Sequence, residues 1–223
     1  MDIITKNIIF NGLKSRKKKD MKTFLLIIVC LASWGVAEAQ VEGTVYLKEG
    51  RNVTFKGRDR LKIPRRKQDV KGWRNAYGQD KRKEKFAVEE VDSVVCWNSR
   101  CPERQRRFIP ADGIGWCWVY FETPHILTLV FAKKGYGIAV DGGIRVWQRH
   151  GIFHRSHVGY YLRKRGEAGF WYAGKDKAKT GKKFLERLCG YVREDAELCR
   201  RIREADTWRD KTIALLMEYC PED

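Results

Sequence analysis

The chain contains no G-x-S-x-G elbow, no G-x-x-x-x-G-K-[ST] phosphate loop, no H-E-x-x-H helix and no G-x-G-x-x-G dinucleotide turn. These gaps exclude the α/β-hydrolase, P-loop, zincin and Rossmann chemistries that those spacings carry. Histidine is scarce at four residues, and acidic residues are short, 28 Asp and Glu against 46 Lys and Arg. No internal repeat and no low-complexity linker breaks the chain, which argues against a solenoid or a string of tethered domains. The longest apolar stretch, Phe24–Ala37, has 14 residues, short of the roughly 20 that a membrane-spanning helix needs.

That apolar stretch has another use. Met21–Gln40, MKTFLLIIVCLASWGVAEAQ, reads as a secretory signal peptide with its own start methionine. Lys22 supplies the positive end, Phe24–Leu31 the apolar run, and Ala37 and Ala39 the small residues before a cut at Gln40. Val29 before Cys30 does not fit a lipoprotein acceptor cysteine. Residues 1–20 end in Lys14-Ser15-Arg16-Lys17-Lys18-Lys19 and carry no sustained periodicity. They read as upstream extension or a mis-called start, with an unusually long basic signal region as the other option. The expected organisation is signal peptide 21–39, a β-rich domain 40–173 and a helical segment 174–223.

Processing at Gln40 would leave 184 residues, enough for one core of ordinary size. Removing residues 1–39 takes seven Lys/Arg and three Asp/Glu, leaving 39 basic against 25 acidic, a balance of +14. Such an excess attracts polyanions at long range: acidic polysaccharide, lipopolysaccharide phosphates, anionic lipid or nucleic acid. Six cysteines remain, Cys96, Cys101, Cys117, Cys189, Cys199 and Cys220. In an exported chain all six are disulfide candidates, with fifteen complete pairings possible. Three precede residue 120 and three follow 185, so complete pairing needs an odd number of bridges between the groups. Cys96–Cys101 is the most local option.

Strand signals run from Val41 to about Arg165. Gly43–Leu47 and Asn52–Lys56 flank a turn-bearing loop of hairpin length. Val91–Trp97 is β-branched and short. Gly115–Phe121 is apolar at both alternating sets of positions, which implies a strand covered on both faces. Ile126–Phe131 and Tyr136–Val140 read as a hairpin across Ala132–Gly135, and Ile144–Trp147 and Val158–Leu162 close the series. Beyond Gly174 the period becomes helical, with Phe184, Leu185, Leu188 and Val192 on one face, then Leu198 and Ile202, then Ile213, Leu216, Met217 and Cys220. Strands first and helices afterwards predict an α+β fold: a mainly antiparallel sheet, sandwich or barrel-like, followed by a small C-terminal helical segment.

Three groups of residues invite chemistry. His150, His154 and His157 have spacing that suits a metal site on a helix, but Gly151 and neighbouring strand signals point to ordinary loop histidines. Cys117 with a histidine would make a hydrolase centre, yet Cys117 sits between Trp116 and Trp118 in a strand that reads as buried. The third is the basic stretch Arg58–Lys85, with twelve Lys/Arg against four Asp/Glu. In it Arg65, Arg66 and Lys67 on one side, and Lys81, Arg82 and Lys83 on the other, flank Trp73 and Tyr77. Cations attract phosphate or carboxylate while an aromatic ring stacks on a sugar or base. The plainer reading is a solvated loop with Trp73 packed at a sheet edge. Trp116, Trp118 and Trp147 read as core.

Taken together, Ala37–Gln40, the Gly-x-Val-x-Leu segment Gly43–Leu47, Val91-Asp92-Ser93-Val94, Tyr160-Tyr161-Leu162, the tail Phe184–Ile202 and a final Tyr219 resemble a loose set of uncharacterised exported proteins of Bacteroidetes. Where similar chains carry Asp-Cys-Pro in the tail, this one has Asp195-Ala196-Glu197. The resemblance implies export across the inner membrane of a diderm bacterium, to the periplasm, outer envelope or medium, and brings no activity. The expected function is therefore a non-catalytic, envelope-associated binding module with a basic face for an anionic envelope polymer or lipid headgroups. No cofactor and no specific nucleic acid are expected. The alternative is an exported hydrolase with a Cys/His or His–metal site.

Overall fold

In a computed structural model, residues 40–146, 158–175, 180–205 and 208–221 are described. Thirteen strands occur among them. They are β1 (Val41–Leu47), β2 (Asn52–Phe55), β3 (Arg60–Lys62), β4 (Val70–Arg74), β5 (Arg82–Phe86), β6 (Val91–Asn98) and β7 (Cys101–Ala111). β8 (Gly115–Glu122), β9 (Ile126–Ala132), β10 (Tyr136–Ile138), β11 (Ile144–Val146), β12 (Val158–Lys164) and β13 (Trp171–Lys175) follow. Then come α1 (Lys182–Tyr191), α2 (Ala196–Glu204) and α3 (Arg209–Ala214), which tightens into a 3-10 turn over Leu215–Glu218. The α+β order read from the sequence is the order observed.

Eight strands form one open antiparallel sheet in the order β13-β12-β9-β8-β7-β6-β1-β2. Among the described residues it does not close into a barrel. Two small sheets are inserted into its connections, β3-β4-β5 between β2 and β6, and β10-β11 between β9 and β12. The expected hairpin between Ile126–Phe131 and Tyr136–Val140 is corrected here. β9 pairs with β8 and β12, and Tyr136–Ile138 pairs instead with Ile144–Val146. Tyr136 explains the break. Its hydroxyl donates to Val130 O at 2.7 Å and accepts from Ala132 N at 2.9 Å, so the chain turns over the sheet rather than extending it.

The two faces of the large sheet bury different residues, as the doubly apolar pattern of β8 requires. Trp116 joins the larger core with Val45, Phe55, Phe108 and Leu162, while Cys117 joins a second cluster with Ala111, Leu127 and Leu129. Trp116 and Cys117 are both wholly buried. The larger core also takes Leu61, Val70 and Phe86 from the three-stranded sheet and Phe184, Leu188, Leu198, Ile202, Ile213 and Leu216 from the helical end.

The helices are fastened at both levels. Asp195 caps α2, its carboxylate accepting from Leu198 N at 2.8 Å, which satisfies one of the amides a helix start leaves open. Trp171 of β13 stacks on Tyr191 at 4.6 Å between ring centres, and the Tyr191 hydroxyl accepts from Lys164 N at 3.0 Å. Met217 and Cys220, expected on the buried face, are exposed. The 3-10 turn at Leu215 shifts the helical period from 3.6 to about 3 residues and rotates them outward.

Candidate polyanion-binding face

The basic stretch that reads as a loop forms the three-stranded sheet β3-β4-β5. Its inward positions explain why it folds. Leu61, Val70 and Phe86 are buried, and Gly72 lies flat against the ring of Phe55. Alternation then sends every second residue to the other side. Arg60 is opposite Trp73 and Trp73 opposite Lys83; Lys62 is opposite Lys71 and Lys71 opposite Lys85. Cross-strand partners share a face. The outer face is therefore two rows of three, Arg60–Trp73–Lys83 and Lys62–Lys71–Lys85. Positions on such a face are about 4.8 Å apart across strands and about 7 Å apart along one.

Five of the six positions are cationic, and the sixth is a half-buried indole. Lys81, just before β5, brings its Nζ to 5.9 Å from the Trp73 ring centre. Like charges directly opposite one another destabilise a sheet, so the row Lys62–Lys71–Lys85 works against folding. Asp69 offsets part of this through its ion pair with Lys85 at 2.7 Å. The Lys85 hydrogen bond holds the Asp69 carboxyl below its usual 3.8, and the same bond raises Lys85.

Behind the array a single guanidinium ties the small sheet to the large one. Arg74 Nη1 donates to Thr54 O at 2.6 Å and Asp59 Oδ2 at 2.7 Å, and Nε donates to Glu84 Oε1 at 2.7 Å. The guanidinium also lies 4.3 Å over the Phe55 ring. Burial pushes the Asp59 carboxyl up, but bonds from Arg74 and from Asn75 N outweigh it and hold the group below 3.8. Burial likewise opposes the Arg74 charge, but its bonds to Glu84 and Asp59 outweigh that and raise its pKa above the ordinary guanidinium value.

The residues singled out in the sequence separate into two sets. Trp73, Lys81 and Lys83 converge on the outer face, and Tyr77 is exposed in the turn beyond β4 at the same end. Arg82 is opposite Arg74 and belongs to the reverse face. Arg65, Arg66 and Lys67 lie in the β3–β4 connection, at the far end of the strands from Lys81–Lys83. That connection is pinned to β8 and to the turn after β9: Arg66 O accepts from Trp116 N at 2.6 Å, and Arg66 Nε donates to Lys133 O at 3.0 Å. Gln68 O accepts from Trp116 Nε1 at 2.8 Å. Arg66 adopts φ 55°, and Gly115, at φ 111°, leaves the space in which Arg66 O sits. The two triplets therefore do not form one surface. Arg60, Lys62, Lys71 and Lys85 complete the array and were missed; their signal is the every-second-residue spacing of Arg60-Leu61-Lys62, Lys71-Gly72-Trp73 and Lys83-Glu84-Lys85.

The other candidates fall as follows. His150, His154 and His157, with Trp147, lie outside the described residues. Among the described residues no three His, Cys, Asp or Glu side chains are grouped to hold a metal. Burial pushes the Cys117 thiol up to about 12 and Cys96 higher still, so neither is a thiolate at neutral pH. All six cysteines carry free thiols. Cys101 is opposite Asn98, and Cys96 is opposite Arg106, so the local pair Cys96–Cys101 is not placed face to face. The chain matches no family model, no curated protein and no solved structure.

Proposed function

We propose that this chain is an exported, non-catalytic binding module that holds an anionic envelope polymer or lipid headgroup array on the outer face of β3-β4-β5. The carrying observation is the register that sets Arg60, Lys62, Lys71, Lys83 and Lys85 around Trp73. The cations supply attraction to phosphate or carboxylate, and the indole supplies a stacking surface for a sugar ring. Export is supported by the signal-like Met21–Gln40, and a purified envelope-fraction protein is expected to begin at Gln40 by N-terminal sequencing.

The binding test uses lipopolysaccharide, an acidic polysaccharide and single-stranded DNA at several salt concentrations. Affinity for the envelope polymers should fall steeply with salt, as in any site that releases counterions. Replacing Lys62, Lys71 and Lys83 together by serine should lower the affinity about tenfold and flatten the log–log salt slope by about 2. Trp73→Ala should lower the affinity and leave the slope, since stacking releases no counterions. Arg65→Ser with Lys67→Ser is the control and should change little. Unchanged binding of the lysine triple variant to every polymer would remove this reading; preference for single-stranded DNA would redirect it.

A further inference from the structure

We propose that Cys189 and Cys199 are a disulfide-forming pair that staples α1 to α2. The two thiols meet across the helix interface in a reciprocal arrangement. Cys189 Sγ donates to Cys199 O at 3.3 Å, and Cys199 Sγ donates to Cys189 O at 3.3 Å. Each sulfur thus lies against the other residue's carbonyl oxygen, and the two thiols are within hydrogen-bonding reach of each other. Among the described residues no other two cysteines are linked in this way. Cys101 Sγ is turned to Glu103 Oε1 at 2.6 Å, and Cys117 Sγ is turned to Gly115 O at 3.4 Å.

The pair is buried yet reachable. Both side chains are at least nine-tenths covered, but they floor a surface cleft of about 340 Å³. Gly190 and Ala196 are small enough to leave that cleft open, and Arg193 and Arg203 flank it. Burial and the neighbouring Cys199 push the Cys189 thiol up to about 11, with Arg203 opposing them. Exchange is therefore slow at neutral pH and quickens as pH rises, because the thiolate is the attacking species.

The chemistry is thiol–disulfide exchange with a small disulfide such as oxidised glutathione. One cysteine thiolate attacks the oxidant's disulfide, forming a mixed disulfide and releasing one thiolate. The second cysteine thiolate then attacks the protein sulfur of that mixed disulfide and releases the other. The oxidant gains two electrons, and the two protons lost by the cysteines go to the two released thiolates. The bridge closes only a short ring, so it stabilises modestly and locally.

The test equilibrates the folded wild-type protein with reduced and oxidised glutathione at about pH 8, near the unperturbed thiol value, then blocks remaining thiols before denaturation and digestion with trypsin. Cleavage after Arg187, Arg193 and Arg200 separates the two residues onto Leu188–Arg193 and Glu194–Arg200. The expected product is these two peptides joined, about 2 Da lighter than their sum, with reductant separating them. Oxidised protein should melt about 5 °C above reduced protein, and Cys189→Ser and Cys199→Ser should each abolish the difference. Because the peptide map uses wild-type protein, it decides the matter even if a variant fails to fold. Blocked thiols at both positions, glutathione retained on either, or linkage of either to a different cysteine would overturn the pairing.

Discussion

A methyl group added at Gly72 is expected to cost the fold about 3 kcal/mol, the upper range for forcing atoms into a filled core. A Cβ there would fall well inside van der Waals contact with Phe55 Cε1 and Cζ and lie 2.9 Å from Cδ1. The ring has nowhere to go. Phe55 is wholly buried, meets Phe86 edge-on at 6.3 Å, and is capped by the Arg74 guanidinium. Gly43 repeats the device from the other side, since a Cβ there would collide with Val95 O and come within 2.6 Å of Leu61 Cδ2. The small sheet sits on the large one through these two close approaches. Phe55→Ala alone should cost about 3–5 kcal/mol through the cavity it leaves. Adding Gly72→Ala in that background should cost far less than in the wild type, because the methyl enters vacated space. A denaturant-unfolding cycle reads this coupling, and more than about 1 kcal/mol of non-additivity is expected. Strict additivity, or a Gly72→Ala protein as stable as the wild type, would show that the sheet is held elsewhere.

The same glycines explain why the candidate face was only partly legible. Strand prediction rests on apolar residues recurring at alternate positions. β8 announced itself on both faces because Trp116, Cys117, Trp118 and Val119 are all apolar. In β3-β4-β5 the inward set mixes Leu61, Val70, Gly72 and Phe86 with polar Arg74, Arg82 and Glu84, and the outward set is almost wholly cationic. The pattern then resembles a charged loop. β7 hid for the same reason, since Glu103–Arg107 carries no apolar residue. Adjacency along the chain is also a poor guide to which cations share a face. In a strand, consecutive side chains leave on opposite faces, so Lys81-Arg82-Lys83 could never present three charges to one ligand. For the cysteines, distance along the chain is a poor guide: only four residues lie between Cys96 and Cys101, yet the two that approach each other, Cys189 and Cys199, are ten apart, and their approach depends on how α1 folds back against α2.

Arg74→Met should destabilise the protein by about 2 kcal/mol and change how it responds to acid. Methionine keeps an unbranched apolar side chain of similar length but removes the guanidinium over Phe55 and leaves Thr54 O, the Asp59 carboxylate and Glu84 without their shared donor. Removing one partner from a buried ion pair costs about 3–5 kcal/mol. Arg74 and Glu84 are about one-third exposed, at 34% and 35%, so water recovers part of that loss. The pH dependence identifies which carboxylate carries the effect. Asp59 has a folded value below 3.8, so the folded state binds fewer protons than the unfolded state near that pH. Its contribution is fully present above about pH 5 and is lost as pH falls through the unfolded and then the depressed folded value. In Arg74→Met the Asp59 carboxyl keeps its bond from Asn75 N but loses the guanidinium, and its value rises. The stability gap between wild type and variant should therefore be constant from pH 7 to about 5 and narrow below about 4. Other depressed carboxyls, such as Glu194 with Lys164, titrate in both proteins and cancel in the difference. Urea unfolding at a series of pH values measures the gap directly. A gap that stays constant down to pH 2 would mean that Arg74 acts through Thr54 O and packing rather than through Asp59, and the sheet would then be anchored by shape instead of charge.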